Sequence, residues 1–133
     1  MRKRVPDINK AASMLEAAQV DIRFLETLPV NQQSGQSLIR GIYENFRLLG
    51  EAYLAVQGLE PAGADHHKQV INALLKLNIN AEKSVLVLDE LRKLRHSINY
   101  DGYIPSLKEI EYVISIKKAL WIPVFKEVKK MVR

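Results

Sequence analysis

The chain has 133 residues, of which 47% are hydrophobic and 26% are charged. This length and balance are typical of one globular domain, which we expect to span residues 1–133. The sequence has no window of 18 uncharged apolar residues, which excludes a membrane span, and no cysteine, which excludes disulfides, thiolate metal sites and a cysteine nucleophile. The basic start lacks the apolar stretch of a signal peptide, so we expect a cytoplasmic protein without a membrane partner.

The net charge of +5 is concentrated at the two ends of the chain. Four basic residues and one acid give residues 1–10 a net charge of +3, and seven basic residues and three acids give 104–133 a net charge of +4. The stretch 11–103, with nine basic residues and eleven acids, carries −2. Basic ends can bind nucleic acid by neutralising phosphates. A solvated tail and a solvated helix face are the favoured interpretation.

The first two helices follow from the spacing of apolar residues. Asp7 is a suitable N-cap, and the polar run 31–35 that follows Pro29 is expected to end the first helix. The second helix is expected over about 36–56 and ends at Gly58. The inward residues recur at three- and four-residue steps: Ile8, Ala11, Leu15, Ala18, Ile22 and Leu25, then Leu38, Ile42, Phe46, Leu49 and Tyr53.

Three further helices are expected in the second half of the chain. Asp65 is expected to cap a short third helix that ends near residue 77, and a fourth helix is expected over about 81–98. A turn at 101–102 precedes a last helix capped by Ser106. The inward residues are Val70, Ala73, Leu74 and Leu77 in the third helix, and Leu107, Ile110, Val113, Ala119 or Leu120, Val124 and Val128 in the last.

Pro123 lies deep in the last helical pattern, where it cannot donate a backbone hydrogen bond, so we expect a kink or a break there. Trp121, Pro123 and Phe125 are expected to form a core cluster, with a partner-facing role as the alternative. The connections between the helices are short. The sequence therefore predicts an all-α fold, an up-and-down antiparallel four-helix bundle with one short extra helix.

Sequence signals for common catalytic and cofactor sites are missing. No phosphate-binding loop, dinucleotide fingerprint or di-iron spacing occurs, and three histidines, two of them adjacent, do not match a zinc site. We therefore expect no metal and no cofactor.

The segment 65–68 places His66 and His67 at a helix start, where imidazoles can meet an anion such as phosphate. A capping role for Asp65 with one packed and one solvated histidine is the favoured alternative.

The segment 91–103 is dense in groups that contact RNA or nucleotides. About 100° per residue places Arg95 roughly 60°, Asn99 roughly 100°, Arg92 roughly 120° and His96 roughly 160° from the buried stripe of Val87, Leu91, Leu94 and Ile98. Arg92, Arg95 and Asn99 thus form a polar flank, and His96 points away from the core. An arginine at the core edge needs an acid, a dimer partner or a ligand, and Glu44 and Glu51 are candidate acids.

The sequence resembles the HEPN superfamily, the higher eukaryote and prokaryote nucleotide-binding domains, in its small archaeal and bacterial members. The resemblance rests on the order and spacing of E-A-Y-L-A-V-Q-G-L-E-P at 51–61, D-H-H-K-Q-V-I-N-A-L-L at 65–75 and L-R-K-L-R-H-S-I-N-Y-D-G at 91–102, and it covers roughly 8–130. It implies a helical bundle that dimerises, here through the last two helices. Many members are metal-independent endoribonucleases whose cleft forms between two copies, and others bind minimal nucleotidyltransferases.

The resemblance implies that Arg95 is the motif arginine, followed by His96 in the polar position. The histidine expected after four to six intervening residues would fall at 100–102, where Tyr100, Asp101 and Gly102 stand instead. Starting from Arg92, His96 comes one residue too early. The catalytic pattern is therefore broken, and a phenol is a poor base at neutral pH.

Three functions follow from this pattern. The first is a dimeric nucleotide-, RNA- or partner-binding module with a degenerate ribonuclease motif, an accessory or toxin–antitoxin component that binds through Arg92, Arg95, Asn99, His66 and His67. The second is an active endoribonuclease toxin that uses Arg95, His96 and Tyr100 as catalytic residues. The third is a scaffolding bundle whose arginines form routine ion pairs.

Overall fold

The computed structural model describes residues 1–81 and 83–132. Within this part of the chain the structure is mostly helical, with one two-stranded sheet. The elements in chain order are β1 (Arg2–Lys3), α1 (Ile8–Leu25), α2 (Gln32–Gln57), β2 (Leu59–Glu60), α3 (His66–Leu74), α4 (Val87–Tyr100) and α5 (Leu107–Met131). The all-α class predicted from the sequence is confirmed.

The long helix α2 forms the centre of the molecule because it packs against α1, α3, α4 and α5. Its fully buried side chains include Tyr43 and Phe46, and the edge of the Trp121 ring meets Phe46 with the ring centres 5.3 Å apart. The expected core role of Trp121 is confirmed.

Asn45 is buried in α2 and donates a 2.8 Å hydrogen bond to Asp21 on α1. This bond satisfies the Asn45 amide nitrogen across the contact between the two helices.

The sequence placed the start of α2 four residues too late. Asn31 accepts a hydrogen bond from the backbone N–H of Ser34, and the Ser34 hydroxyl accepts one from the N–H of Asn31. This reciprocal capping box begins the helix inside the polar run that was expected to be a loop. The end at Gly58 is confirmed: its φ of 70° is left-handed, and a Cβ there would collide with the Arg4 carbonyl oxygen.

The fourth helix begins six residues later than expected. Its approach, 84–89, is a series of tight turns in which the N–H groups of Val87, Leu88 and Asp89 each bond to the carbonyl three residues earlier. The Ser84 hydroxyl also accepts from the N–H of Leu86, which favours a turn over a helix.

The last helix runs from Leu107 to Met131 without a break at Pro123, so the expected break is wrong. Trp121 and Val124 are buried on either side of the proline, and this packing outweighs the loss of one backbone hydrogen bond.

Ser106 forms the expected cap at the start of this helix. Leu107 was assigned to the core but is 45% exposed, because it lies in the first turn of the helix; Ile8, in the first turn of α1, is exposed in the same way.

The basic N-terminal segment is bound through its backbone while its side chains stay exposed. Arg2 and Lys3 pair antiparallel with Glu60 and Leu59, and the N–H of Arg4 donates to Gly58. The Arg4 guanidinium forms an ion pair with Glu60, which lowers the pKa of that carboxyl. This short pairing was missed by the sequence reading because two-residue strands carry no periodic pattern.

Candidate functional site

Two segments singled out from the sequence line one cleft. The first turn of α3 and the exposed side of α4 border an opening of about 400 Å³. Its lining residues are Ala64, Asp65, His66, His67, Lys68, Arg92, Arg95, His96 and Tyr100. Three of these are cationic and one is acidic, so the lining favours an anion.

Arg95 is the most enclosed cation of the cleft, with its side chain 19% exposed. Its Nη2 lies 3.3 Å from Glu44 Oε1, and its guanidinium carbon lies 5.4 Å from the centre of the Tyr43 ring. Among the described residues, its buried Nε has no hydrogen-bond partner. A guanidinium has five N–H donors, so a single long contact leaves most of them available.

Glu44 is the acid that pairs with Arg95, one of the two candidates proposed from the sequence. The other, Glu51, pairs with Arg47 one turn away on α2. Glu44 also accepts from Arg47 at 2.8 Å, so its charge is shared between two arginines. The shared carboxylate therefore neutralises Arg95 only in part.

His67 is tied to α2 by a hydrogen bond. The Tyr43 hydroxyl lies 2.9 Å from His67 Nδ1. Burial raises the pKa of Tyr43 to about 12, so the hydroxyl stays protonated and can donate to this nitrogen. Burial, together with the charges of His66 and Arg95, lowers the pKa of His67. In the neutral tautomer whose Nδ1 accepts this bond, Nε2 carries the proton and offers one further donor.

Arg92 lines the cleft and is paired on its own helix. Its Nε donates to Asp89 at 2.8 Å, and this hydrogen bond holds the pKa of Asp89 below its usual range. Lys93 lies 3.6 Å from the other oxygen of the same carboxylate. Arg92 is thus partly neutralised, and only about a quarter of its side chain is exposed.

His96 and Tyr100 form an aromatic pair at the edge of the cleft. Their ring centres are 4.6 Å apart, and Tyr100 is 69% exposed. His96 lies on the solvent side of α4, as the angular estimate indicated, yet it borders the same opening as Arg95 because α3 extends beside it.

Asn99 is not among the residues that line the cleft. Its side-chain oxygen accepts a 2.6 Å hydrogen bond from Arg40 Nε on α2. It lies four residues after Arg95, and its amide is bonded to α2 one turn before Glu44 and does not face the opening. The polar flank predicted from the sequence is therefore divided between two surroundings.

Asp65 precedes α3 without capping it. Its side chain makes no hydrogen bond to a backbone N–H of the first turn and instead accepts from Gln69 Nε2 at 3.0 Å. Gln69 also bonds to both backbone groups of Ala62, which fixes the preceding loop. The capping role expected for Asp65 is wrong because Gln69 occupies its carboxylate. The first turn of α3 therefore begins at the cleft without a side-chain cap.

The arrangement is suited to binding an anion that carries an aromatic group. Arginine and helix-start N–H groups are common phosphate ligands, and the exposed aromatic pair can stack with a base.

Within 1–81 and 83–132, no three His, Asp or Glu side chains lie close enough together to hold a metal ion. None of the described helices is both long and apolar enough to cross a bilayer.

Tyr43 is the residue of this region that the sequence reading missed as part of the site. It is fully buried in α2, lies under the Arg95 guanidinium and bonds to His67, so it joins the two segments. Its place beside Ile42 on an apolar stripe indicated only a core residue. No signal in the sequence reveals its contacts with α3 and α4.

Comparison with known proteins found no counterpart for this chain. No family model matches it, and neither the curated proteins nor the solved structures include a significant match.

Proposed function

We propose that the chain is a nucleotide- or RNA-binding module that holds a phosphate group in the cleft between α3 and α4. The observation that carries the proposal is the partly buried Arg95, whose Nε lacks a partner among the described residues beside a cation-rich opening. The single long contact with Glu44 leaves other guanidinium N–H groups of Arg95 available, and a phosphate oxygen in the opening can accept from them.

The neighbouring groups support a phosphate. His67 offers an N–H donor in the tautomer protonated on Nε2, Lys68 and Arg92 add positive charge, and α3 begins at the opening. The only acid of the lining, Asp65, is bonded to Gln69. Tyr100, which packs on His96, then presents aromatic surface about 7.5 Å along the helix from Arg95, a separation that one nucleotide can bridge from phosphate to base.

The HEPN resemblance supports the same function, and we propose an up-and-down four-helix arrangement of α1, α2, α4 and α5 with α3 as the short extra helix. On this proposal the ribonuclease motif is degenerate, because Tyr100 stands where the family has histidine. A homodimer, a minimal nucleotidyltransferase partner and an accessory place in a toxin–antitoxin pair are the associations that the resemblance implies.

Equilibrium binding of a fluorescent single-stranded RNA tests the proposal. Arg95→Ala should weaken binding by about 10- to 100-fold, because a charge-assisted hydrogen bond contributes about 1.5–3 kcal/mol. Asn99→Ala is the matched control on the same helix, since Asn99 does not line the cleft, and it should bind as the wild type does. Equal binding by all three proteins, or no binding by the wild type, contradicts the proposal.

A second candidate, a metal-independent endoribonuclease, is favoured by one observation. His96 and Tyr100 border the same opening as Arg95, so a proton-transfer group and a phosphate-binding group share one cleft. Purified protein incubated with cellular RNA and a chelator should then cleave it, and His96→Ala should abolish the cleavage. Intact RNA at high protein excess excludes this candidate.

The scaffolding alternative is favoured by the ion pair between Arg95 and Glu44. If Arg95 is purely structural, Glu44→Gln should destabilise the fold and leave ligand binding unchanged. If Arg95 binds phosphate, the same substitution removes a competing negative charge and should tighten binding.

A further inference from the structure

Helix α1 carries an apolar stripe on its solvent side. Ala17, Val20 and Phe24 follow one another at steps of three and four residues, which places them on one face. Val20 is 62% exposed and Phe24 is 58% exposed, while the opposite face of α1 is buried against α2. A phenylalanine and a valine left side by side in water indicate a contact surface, because burying them is favourable.

Two shallow openings border this stripe. One, of about 690 Å³, runs along α1 itself, and the other, of about 390 Å³, lies between α1 and α5 beside Phe125 and Lys129. Glu16 and Val20 line both of them. The stripe and the edge of α5 thus form one continuous surface, which we call the α1 surface.

Two charges on one flank of the stripe, Glu16 and Arg23, are self-complementary. Glu16 and Arg23 are seven residues apart, so they lie on the same flank of α1, and both are exposed. Within the described residues neither forms an ion pair. They are equidistant from the midpoint between Gln19 and Val20. A two-fold axis through that midpoint, perpendicular to the helix, would bring Glu16 of one copy opposite Arg23 of the other at two symmetry-related positions.

We propose that the α1 surface binds a second copy of this chain, with the two α1 helices antiparallel. The apolar stripes supply the buried area, and the two Glu16–Arg23 pairs fix the register. This surface differs from the last two helices, through which the HEPN resemblance implied dimerisation. It is also separate from the cleft, because α1 packs against α2 and α5 whereas the cleft lies between α3 and α4.

Sedimentation equilibrium of the full chain over a range of concentrations tests this proposal. The wild type should dimerise, and Val20→Glu should be monomeric with an unchanged thermal unfolding profile, because the residue is exposed. Glu16→Arg and Arg23→Glu should each raise the dimer dissociation constant about tenfold by opposing like charges. The double variant should restore the wild-type value, which a loss of folding could not produce.

Leu107→Glu is the matched control, an exposed leucine on the last helix outside the α1 surface, and it should dimerise as the wild type does. A wild type that stays monomeric at millimolar concentration overturns the proposal. So does a dimer that survives Val20→Glu, or one that dissociates in the Leu107→Glu variant alone. RNA binding by the Val20→Glu monomer should be unaffected, so the failure of this proposal is distinguishable from that of the cleft.

Discussion

The hydroxyl of Tyr43 lies 2.9 Å from Nδ1 of His67, and this contact joins the central helix α2 to the start of α3. The ring of the same tyrosine lies under the guanidinium of Arg95 on α4. One buried residue therefore sets the relative positions of both sides of the cleft.

Tyr43→Phe should remove the contact between the tyrosine hydroxyl and His67 and keep the aromatic ring in the core. The substitution removes one buried hydrogen bond, so we expect the free energy of unfolding to fall by about 1 kcal/mol. The pKa of His67 should rise, because the bond from the hydroxyl favours the neutral imidazole. Urea unfolding and an NMR titration of the histidine signals measure the two effects. A His67 titration unchanged by the substitution contradicts the assigned direction of the hydrogen bond.

His67 should also make stability depend on pH. Its pKa in the folded state lies below the value of about 6.5 expected when unfolded. Above about pH 6.5 the His67 imidazole is neutral in both the folded and the unfolded protein. As the pH falls below about 6.5 the unfolded state takes up a proton first, so stability should decline until the pH reaches the folded pKa. Urea unfolding of the wild type and His67→Gln at several pH values should show a smaller decline in the variant; equal declines would refute the assignment.

The sequence reading predicted the helices better than the cleft, for a physical reason. The periodic apolar residues that bury α1, α2 and α5 are local patterns, and most of them lie in the core. The angular estimate also placed Arg95 at the edge of the core correctly. It could not place α3 beside α4, because that contact depends on packing through Tyr43. For the same reason it grouped Asn99 with Arg95, although Arg40 on another helix binds Asn99.

The close approach of α2 and α3 depends on Gly50. A Cβ at this position would lie 2.6 Å from Val70 Cγ1 and 2.9 Å from its carbonyl oxygen. Gly50→Ala should therefore destabilise the protein by about 1–3 kcal/mol, although alanine favours helix by about 1 kcal/mol. By displacing α3 it should also weaken ligand binding.

Gly41→Ala is the matched control for that substitution. Its Cβ would meet side-chain atoms of Leu25 and no backbone atom, and the two nearest are methyl groups that can rotate away. We expect it to cost less than Gly50→Ala in thermal unfolding and to leave ligand binding unchanged. Equal losses of stability and binding in the two variants would show that the close approach of α2 and α3 at Gly50 is not specifically needed for either property.

Asp89→Asn should strengthen binding. The carboxylate is bonded to Arg92, a lining residue, and its removal leaves that positive charge uncompensated. An ion pair this exposed contributes up to about 1 kcal/mol, so we expect RNA to bind about two- to fivefold more tightly at low salt and the gain to shrink at high salt. Asp101→Asn removes the same charge outside the lining. An equal gain in affinity in both variants would show that the effect comes only from the net charge of the protein and not from Arg92.

The phosphate-binding role of Arg95 is tested most directly by NMR of the arginine side chains during a titration with a nucleoside monophosphate. The Nε–H signal of Arg95 should shift in a saturable manner, together with the signals of His67. The Nε–H signal of Arg40, which bonds to Asn99 outside the cleft, should stay in place. If the Arg95 and His67 signals do not move at millimolar nucleotide, or move no more than that of Arg40, the cleft does not bind phosphate.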